Sequence, residues 1–462
     1  MGQAIVRAGL AVYFRRLEVS GLENVPAAGP VILASNHPQS ITDALVLAAL
    51  APRAVRFLAH GGLFENRFRG WLLRACGAIP VYRAGDAPDA AQRNIRMFSA
   101  CENVLEKGGA IGIFPEGVST EDRRIHKLKT GTARIALDTE AKNGWRLGIA
   151  VVPVGLVFES RRRMRTRVLV EFGRPISAGD YRGVFESDPA GAALGLSGAL
   201  RDALTHLVVD IERPEFEDLV REVELVYKRE LLEREGERAG ERSKFEEGHL
   251  LSVEIPRVLD FFLEREPEVV RRVRRLLKEY HGALERAKVR DELLADPKKR
   301  TLGGEIARLA VLGAAGLPLA AYGVLWNFVP YKFAGFVAHG ASRDETKIHY
   351  HQLVYGAFLF PLWYAPPLFL AWRVLGPLGT LIFAVSLPAS GLFALGYARW
   401  TNRRRRMIRF GWLRMTHGRF VRALERRRRL VIREMDLALA EYLAAQLDAK
   451  PAKLEGEGDG AR

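Results

Sequence analysis

The sequence predicts an α/β layer domain, then charged helices, then a C-terminal α-helical membrane region. Three observations carry this reading. Short apolar runs alternate with helix-like stretches from Val31 to Ile211, the pattern of strands layered with helices. Charges of both signs then crowd the chain from Pro214 to Arg300. Beyond that, Leu309 to Tyr331 carries no charge for 23 residues, long enough as a helix for a bilayer core.

In the first region the strand-like runs are Val31-Leu33, Val55-Leu58, Ile79-Val81, Ala110-Phe114, Ala150-Val157 and Val168-Phe172. The helix-like stretches are Asp43-Leu50, Phe64-Ala75, Ala90-Glu106, Thr132-Ala141 and Ser197-Ile211. In a layered α/β fold, chemistry is mounted where strands end. Near the start, Ile5, Val6, Leu10, Val12, Tyr13 and Phe14 fit either an interfacial amphipathic helix or an ordinary core-packing one. Met1 to Phe14 has no small-residue cleavage pattern, so no signal peptide is expected. Phe64 to Leu73 mixes aromatic and basic residues, which suits either lipid headgroups or a half-buried helix.

Asn36-His37-Pro38-Gln39-Ser40-Ile41-Thr42-Asp43 follows the first strand. Histidine titrates near neutral pH, and a carboxylate beside it can fix its tautomer and strengthen it as a base. With no nucleophilic Ser or Cys evidently attached, the pair suits deprotonation of a substrate hydroxyl. The plain alternative is a surface histidine beside a helix-capping aspartate. Residues six apart on one helix lie about 240° apart around its axis. His37 is therefore expected in the turn before the helix, reaching across to Asp43 in its first turns. Pro38 fits a helix start.

Three further blocks follow in order: Gly77-Ala78-Ile79-Pro80-Val81-Tyr82-Arg83, Ile111-Gly112-Ile113-Phe114-Pro115-Glu116-Gly117 and Val151-Val152-Pro153-Val154-Gly155-Leu156. Their order and intervals resemble the PlsC-type glycerolipid acyltransferase family over roughly residues 15–210. The resemblance implies His37 as general base toward a glycerol hydroxyl, with Asp43 orienting it. It implies Arg83, Glu116 and the Gly117 backbone on the phosphorylated acceptor, and the thioester of acyl-CoA or acyl carrier protein as the group attacked. A phosphate is well served by Arg, and a close backbone approach by Gly. No cofactor, metal or covalent acyl-enzyme is implied, and N–H groups at the start of the following helix are candidates for the oxyanion.

Two departures from the common family pattern shift the expected acceptor. Five residues, not four, separate His37 from Asp43, and Val118-Ser119 stands where the family usually has Thr-Arg. Both resemble the glycerol-3-phosphate/dihydroxyacetone-phosphate acyltransferase-like subgroup with a C-terminal membrane region. Glycerol 3-phosphate or dihydroxyacetone phosphate is therefore the expected acceptor. A lysophosphatidate or other lysophospholipid is the alternative, and a silent lipid-binding membrane protein a third reading. Lys129 is the candidate for the missing cation, with Arg123, Arg124 and Lys127 nearby.

Composition bounds the remainder. At 462 residues the chain is long enough for two or three domains. A net charge of +16 and a pI near 10.0 call for an anionic partner, nucleic acid or an anionic membrane. The two cysteines, Cys76 and Cys101, have no metal or redox spacing. His349 and His351, beside an apolar segment, suit a loop or interfacial role better than a metal site. The expected division is an acyltransferase domain with an N-terminal interfacial helix over residues 1–212, a charged helical region over 213–304, transmembrane helices over 305–399, an Arg-rich helical tail over 400–449 and a disordered end over 450–462.

Leu353 to Trp372 and Val374 to Ala398 are two more apolar runs, interrupted by Pro361, Pro366, Pro367, Pro377 and Pro388. Basic residues flank the three runs on both sides, at Lys298, Lys299 and Arg300 and at Arg399 and Arg403 to Arg406. Positive flanks favour the cytoplasm, so an even number of crossings with one hairpin-like insertion is expected. The expected location is an integral membrane protein with its catalytic domain on the cytoplasmic face, the inner membrane in a bacterium. Arg399 to Arg433 holds fourteen arginines against one acid, Glu425. An arginine-rich helix along anionic headgroups accounts for it. Nucleic-acid binding is the rival that adjoining apolar spans disfavour, so no nucleic-acid partner is expected.

Overall fold

The computed structural model describes residues 2–82, 89–120, 122–160, 165–235, 243–295, 302–341 and 345–448. It divides into two units, Met1–Glu212 with Ala338–Leu353, and Arg213–Val337 with Val354–Arg462.

The first unit is built on a mixed sheet of β1 (Arg16–Ser20), β2 (Val31–Ser35), β3 (Val55–His60), β4 (Ile79–Val81), β5 (Ala110–Ile113), β6 (Ala150–Phe158), β7 (Arg167–Phe172) and β8 (Ile176–Ser177). The strand order is β1-β7-β6-β2-β5-β3-β4, with β8 pairing β6. β2 runs parallel to both β5 and β6, while β7 and β8 run antiparallel to β6. Its helices are α1 (Gly2–Tyr13), α2 (Ile41–Leu50), α3 (Arg67–Ala75), α4 (Ala90–Glu106), α5 (Gly131–Lys142), α6 (Arg182–Ser187) and α7 (Pro189–Leu207).

Every residue of β2 is buried, as expected of a central parallel strand covered on both faces. Its side chains alternate between two cores. Ile32 and Ala34 join Met97, Cys101, Ile135, Leu137, Leu200 and Leu204 of α4, α5 and α7. Val31 and Leu33 join Leu10, Tyr13, Val46 and Leu47 of α1 and α2. The period of two along a strand thus assigns helices to opposite faces. Burial pushes the Cys101 thiol up to about 12, so it behaves as an inert core residue.

The six strand-like runs of the sequence all form strands. β1 and β8 escape that reading: Arg16-Leu17-Glu18-Val19-Ser20 is half charged and sits at the sheet edge beside β7. α7 starts well before Ser197, because Asp188 caps it by accepting the Gly191 N–H at 2.9 Å and Pro189 occupies its first turn. α3 starts later than expected, after a 3₁₀ turn at Gly61–Phe64. Leu10, Tyr13 and Phe14 are buried against the sheet, the core-packing alternative for those three positions. Trp71 and Leu72 on α3 are exposed.

The second unit contains α8 (Glu217–Val223), a π turn at Glu224–Lys228, α9 (Arg229–Glu235), α10 (Lys244–Arg265), α11 (Pro267–Ala287), α12 (Asp291–Ala295), α13 (Leu302–Ala341), α14 (Glu345–Thr416) and α15 (Gly418–Asp448). The arginine-rich tail differs from expectation here. α15 does not simply lie along headgroups: Val431, Ile432, Met435 and Tyr442 share one apolar cluster with Phe262, Leu277 and Tyr280 of α10 and α11. Its arginine count hides an apolar stripe at helical spacing, which drives burial. Leu430 and Leu437 lie off that stripe and are exposed. Arg428 is buried, donating to Asp291 and Glu230 at 2.9 Å each, while the Tyr280 hydroxyl donates to Asp291 at 2.6 Å.

Two helical segments, Leu302–Gly340 and Val354–Thr416, are long and apolar enough to cross a membrane, and only 17% of each apolar window is buried. The second and third apolar runs form one helical stretch broken at Gly376, with φ 68° and ψ −175°. That conformation favours glycine, and Pro377 disfavours a helical residue before it. Asn327 joins both halves to α13. Its amide donates to the Leu387 carbonyl at 3.0 Å and accepts from the Tyr364 hydroxyl at 2.5 Å.

Candidate active site

Two parallel neighbours bring distant blocks together. β2 and β5 pair in register, Ala34 with Ile113, so both chains leave the sheet at the same carboxyl edge. β2 connects through α2 on one face, and β5 through α5 on the other. Their connections depart in opposite directions in the strand order, toward β3 and toward β6. With the two connections on opposite faces, their polar turns meet at the carboxyl ends of the strands, where open α/β sheets bind ligands.

His37 lies in the turn after β2, and Asp43 in the first turn of α2. His37 Nδ1 is 2.9 Å from Asp43 Oδ2. The Gln39 N–H donates to the same carboxylate oxygen at 2.7 Å. Asp43 is 0% exposed, whereas the His37 side chain keeps 18% exposure. An acceptor carboxylate at Nδ1 places the proton there and leaves the Nε2 lone pair for a substrate. The helix begins at Ile41 rather than at Pro38. Ser40 takes φ 53° and ψ −128°, a costly conformation for a residue with a side chain. The Ser40 N–H donates to Ser119 Oγ at 3.0 Å.

The His37 ring stacks on Phe114, 4.0 Å between centroids and 17° between planes. The backbone beneath it is braced by Glu116, which accepts the His37 N–H and the His126 N–H at 3.2 Å each. Burial pushes the Glu116 carboxyl up, and those two donors oppose the shift. Asn36 is buried and doubly bonded to Leu156: it donates to the carbonyl at 3.1 Å and accepts the N–H at 2.7 Å. The Val151 to Leu156 block therefore acts as the sheet neighbour that pins the turn.

Gly117 has φ +68°, and a Cβ there would stand 2.6 Å from Lys129 Nζ. Glycine thus lets the Lys129 chain lie over the turn, while the Lys129 N–H donates to the Pro115 carbonyl at 2.9 Å. The loop leading to Lys129 is anchored to α7 and the segment after it. Arg201 donates to the Ile125 carbonyl at 2.7 Å, and the Ile125 N–H donates to Asp210 at 2.8 Å.

His37, Asp43, Glu116, Gly117 and Lys129 thus converge on one edge of the sheet. Arg83 follows β4, which runs parallel to β3, but Arg83 itself lies outside the described residues. Glu116 differs from the expected acceptor contact. Both its oxygens take backbone N–H groups, and it is 6% exposed. A carboxylate also repels a phosphate. The oxyanion expectation narrows as well, because the N–H groups of Gln39, Ser40, Thr42 and Asp43 are already donated to protein acceptors. The bracing by Ser119 and His126 had no signal in the sequence, since both bonds join segments distant in the chain or run through backbone.

Residues 16–157 match the family model described as Acyltransferase. That segment is therefore similar to an acyltransferase domain of that family. The chain is 30% identical over 152 residues to a chloroplastic 1-acyl-sn-glycerol-3-phosphate acyltransferase of Arabidopsis thaliana, covering 32% of this chain and 38% of that one. It is 34% identical over 97 residues to glycerol-3-phosphate O-acyltransferase 2 of Saccharomyces cerevisiae, covering 21% of this chain and 13% of that one. The crystal structure of the 1-acyl-sn-glycerophosphate acyltransferase PlsC from Thermotoga maritima is 21% identical, covers 43% of this chain and 74% of its own, and has a TM-score of 0.32. The chain thus spans about two fifths of the length of the Arabidopsis relative.

Proposed function

We propose that this chain is a membrane-bound O-acyltransferase that moves a fatty acyl group from a thioester, acyl-CoA or acyl carrier protein, to a hydroxyl of glycerol 3-phosphate or dihydroxyacetone phosphate. The observation that carries this is the His37–Asp43 pair at 2.9 Å, with a partly exposed ring beside a buried carboxylate. The acceptor hydroxyl gives its proton to His37 Nε2 as its oxygen attacks the thioester carbonyl. The carbon–sulfur bond then breaks, and the thiolate leaves with the proton returned from His37. Asp43 holds the tautomer and stabilises the imidazolium that forms between these steps. Phe114 and Glu116 act through position, one stacking on the ring and the other tying the turn that carries it. Lys129 at the Gly117 turn is the cation for the acceptor phosphate, and Arg83 is the second candidate.

The two helices exposing apolar surface support membrane insertion, and basic residues on both flanks favour a cytoplasmic catalytic domain. A second reading, acylation of lysophosphatidate, draws on the activity of the Arabidopsis relative. Membranes bearing the chain, given labelled palmitoyl-CoA with either glycerol 3-phosphate or lysophosphatidate, separate the two. Monoacyl product from glycerol 3-phosphate supports the first reading. Product from lysophosphatidate alone replaces it with the second.

A further inference from the structure

A shallow pocket in the second unit lies far along the chain from the His37 site and belongs to no part of the acyl-transfer chemistry. Four arginines line it, Arg229, Arg290, Arg403 and Arg406, together with Glu292, Leu293 and Met407. They come from α9, the turn before α12 and the end of α14. Arg229 pairs with Glu233 at 2.9 Å. Arg290, Arg403 and Arg406 make no ion pair among the described residues.

The nearby acids are otherwise engaged. Glu230 and Asp291 are bound to Arg428, and Asp291 also accepts from Tyr280. Glu292 contributes one negative charge to the wall against four positive ones. Arginines that outnumber their counter-charges repel one another, and a multiply charged oxyanion relieves that repulsion while accepting several N–H bonds. The walls are held in place. Arg409 donates to the Lys288 carbonyl at 2.7 Å, which ties the end of α14 to the turn before α12.

The depth is also informative. Arg403 lies five residues past Ala398, the last residue of the apolar run, which is roughly 7.5 Å along a helix. Arg404 pairs with Glu305 of α13, so both helices turn polar at this level. An arginine-lined pocket one to two turns beyond an apolar span lies at the level of lipid phosphates.

We infer that Arg290, Arg403 and Arg406, with Arg229, form a binding site for the phosphate of an anionic phospholipid headgroup. Leu293 and Met407 offer apolar contact to the glycerol end. The choice of a lipid rather than a free phosphate rests on reading α14 as membrane-inserted; the anion chemistry does not.

The test uses the purified full chain in detergent, titrated with dioleoylphosphatidate, dioleoylphosphatidylcholine or inorganic phosphate, with bound ligand counted by native mass spectrometry. Phosphatidate is expected to bind about tenfold or more tighter than phosphatidylcholine, the equivalent of one charge-assisted contact. Arg403→Gln/Arg406→Gln is expected to lose about tenfold or more of that affinity. Arg426→Gln/Arg427→Gln removes the same charge from exposed positions of α15 and is expected to leave it unchanged. Should the first double variant fail to fold, Arg290→Gln alone is read, with an expected loss of several-fold. Inorganic phosphate competing at equal concentration would keep the anion site and overturn its assignment to lipid. Equal binding of phosphatidylcholine, or equal losses in the two double variants, would overturn the site itself.

Discussion

Asp43→Asn isolates what the buried carboxylate does for His37. Asp43 Oδ2 receives two donors, His37 Nδ1 at 2.9 Å and the Gln39 N–H at 2.7 Å. An asparagine keeps the shape and has one oxygen. Both donors meet the same oxygen, so an asparagine oxygen placed there keeps both bonds and the Nδ1 proton. What is lost is the negative charge that strengthens His37 as a base and stabilises the imidazolium formed during transfer. The ring does not move, because Phe114 stacks on it at 4.0 Å and Glu116 holds its backbone N–H. The loss is therefore chemical rather than structural. Removal of a general base's contribution costs about 10²- to 10⁴-fold, or about 2.7–5.4 kcal/mol in barrier at 1.36 kcal/mol per decade. The assay is steady-state thiol release from palmitoyl-CoA with saturating acceptor, alongside thermal unfolding. The expectation is a fall in kcat of that size with acceptor KM nearly unchanged. An Asp43→Asn protein retaining kcat within about threefold would refute the role given to the Asp43 charge.

Glu116 gives a pH prediction. Burial raises its carboxyl pKa in the folded state, so the folded chain binds more protons than the unfolded one through the titration range. The stability that protonated Glu116 contributes is complete below the unfolded value and lost as pH rises through the raised folded one. Glu116→Gln should remove that slope, so thermal midpoints of the two proteins should shift relative to each other, in favour of the variant, as pH rises; parallel curves would contradict it. Lys129→Ala should raise acceptor KM by roughly tenfold or more, the value of one charge-assisted contact, with kcat within a few-fold. Gly117→Ala places a Cβ 2.6 Å from Lys129 Nζ at φ +68°; a loss of about 1 kcal/mol or more in unfolding free energy is expected. Asn327→Leu breaks the bonds to Leu387 and Tyr364, and unfolding in mixed detergent micelles should show a loss of about 1–2 kcal/mol.

The parts of the site legible in the sequence are those whose geometry is local. His37 and Asp43 are six residues apart, and a turn followed by a helix start leaves few ways to arrange them. Glu116 and Ser119 each reach a partner 79 residues away. That closeness exists only because β2 and β5 are parallel neighbours, and strand order is not written in either segment. β2, β5 and most of β6 are buried on both faces, so their apolar runs are unbroken. β1 carries Arg16 and Glu18 at an edge and leaves no such run. In α15 the arginines dominate composition, yet Val431, Ile432 and Met435 decide where the helix packs. Composition reports the solvated side of a helix, and periodicity reports the buried side.

The central claim is that His37 is the base for acyl transfer. Its most direct test is His37→Ala, with membranes supplied with labelled palmitoyl-CoA and glycerol 3-phosphate and ester product measured beside free thiol. The account predicts that product and thiol fall together by about 10²- to 10⁴-fold or more in a protein that still folds. Ester formation within about threefold of the unaltered chain would contradict it.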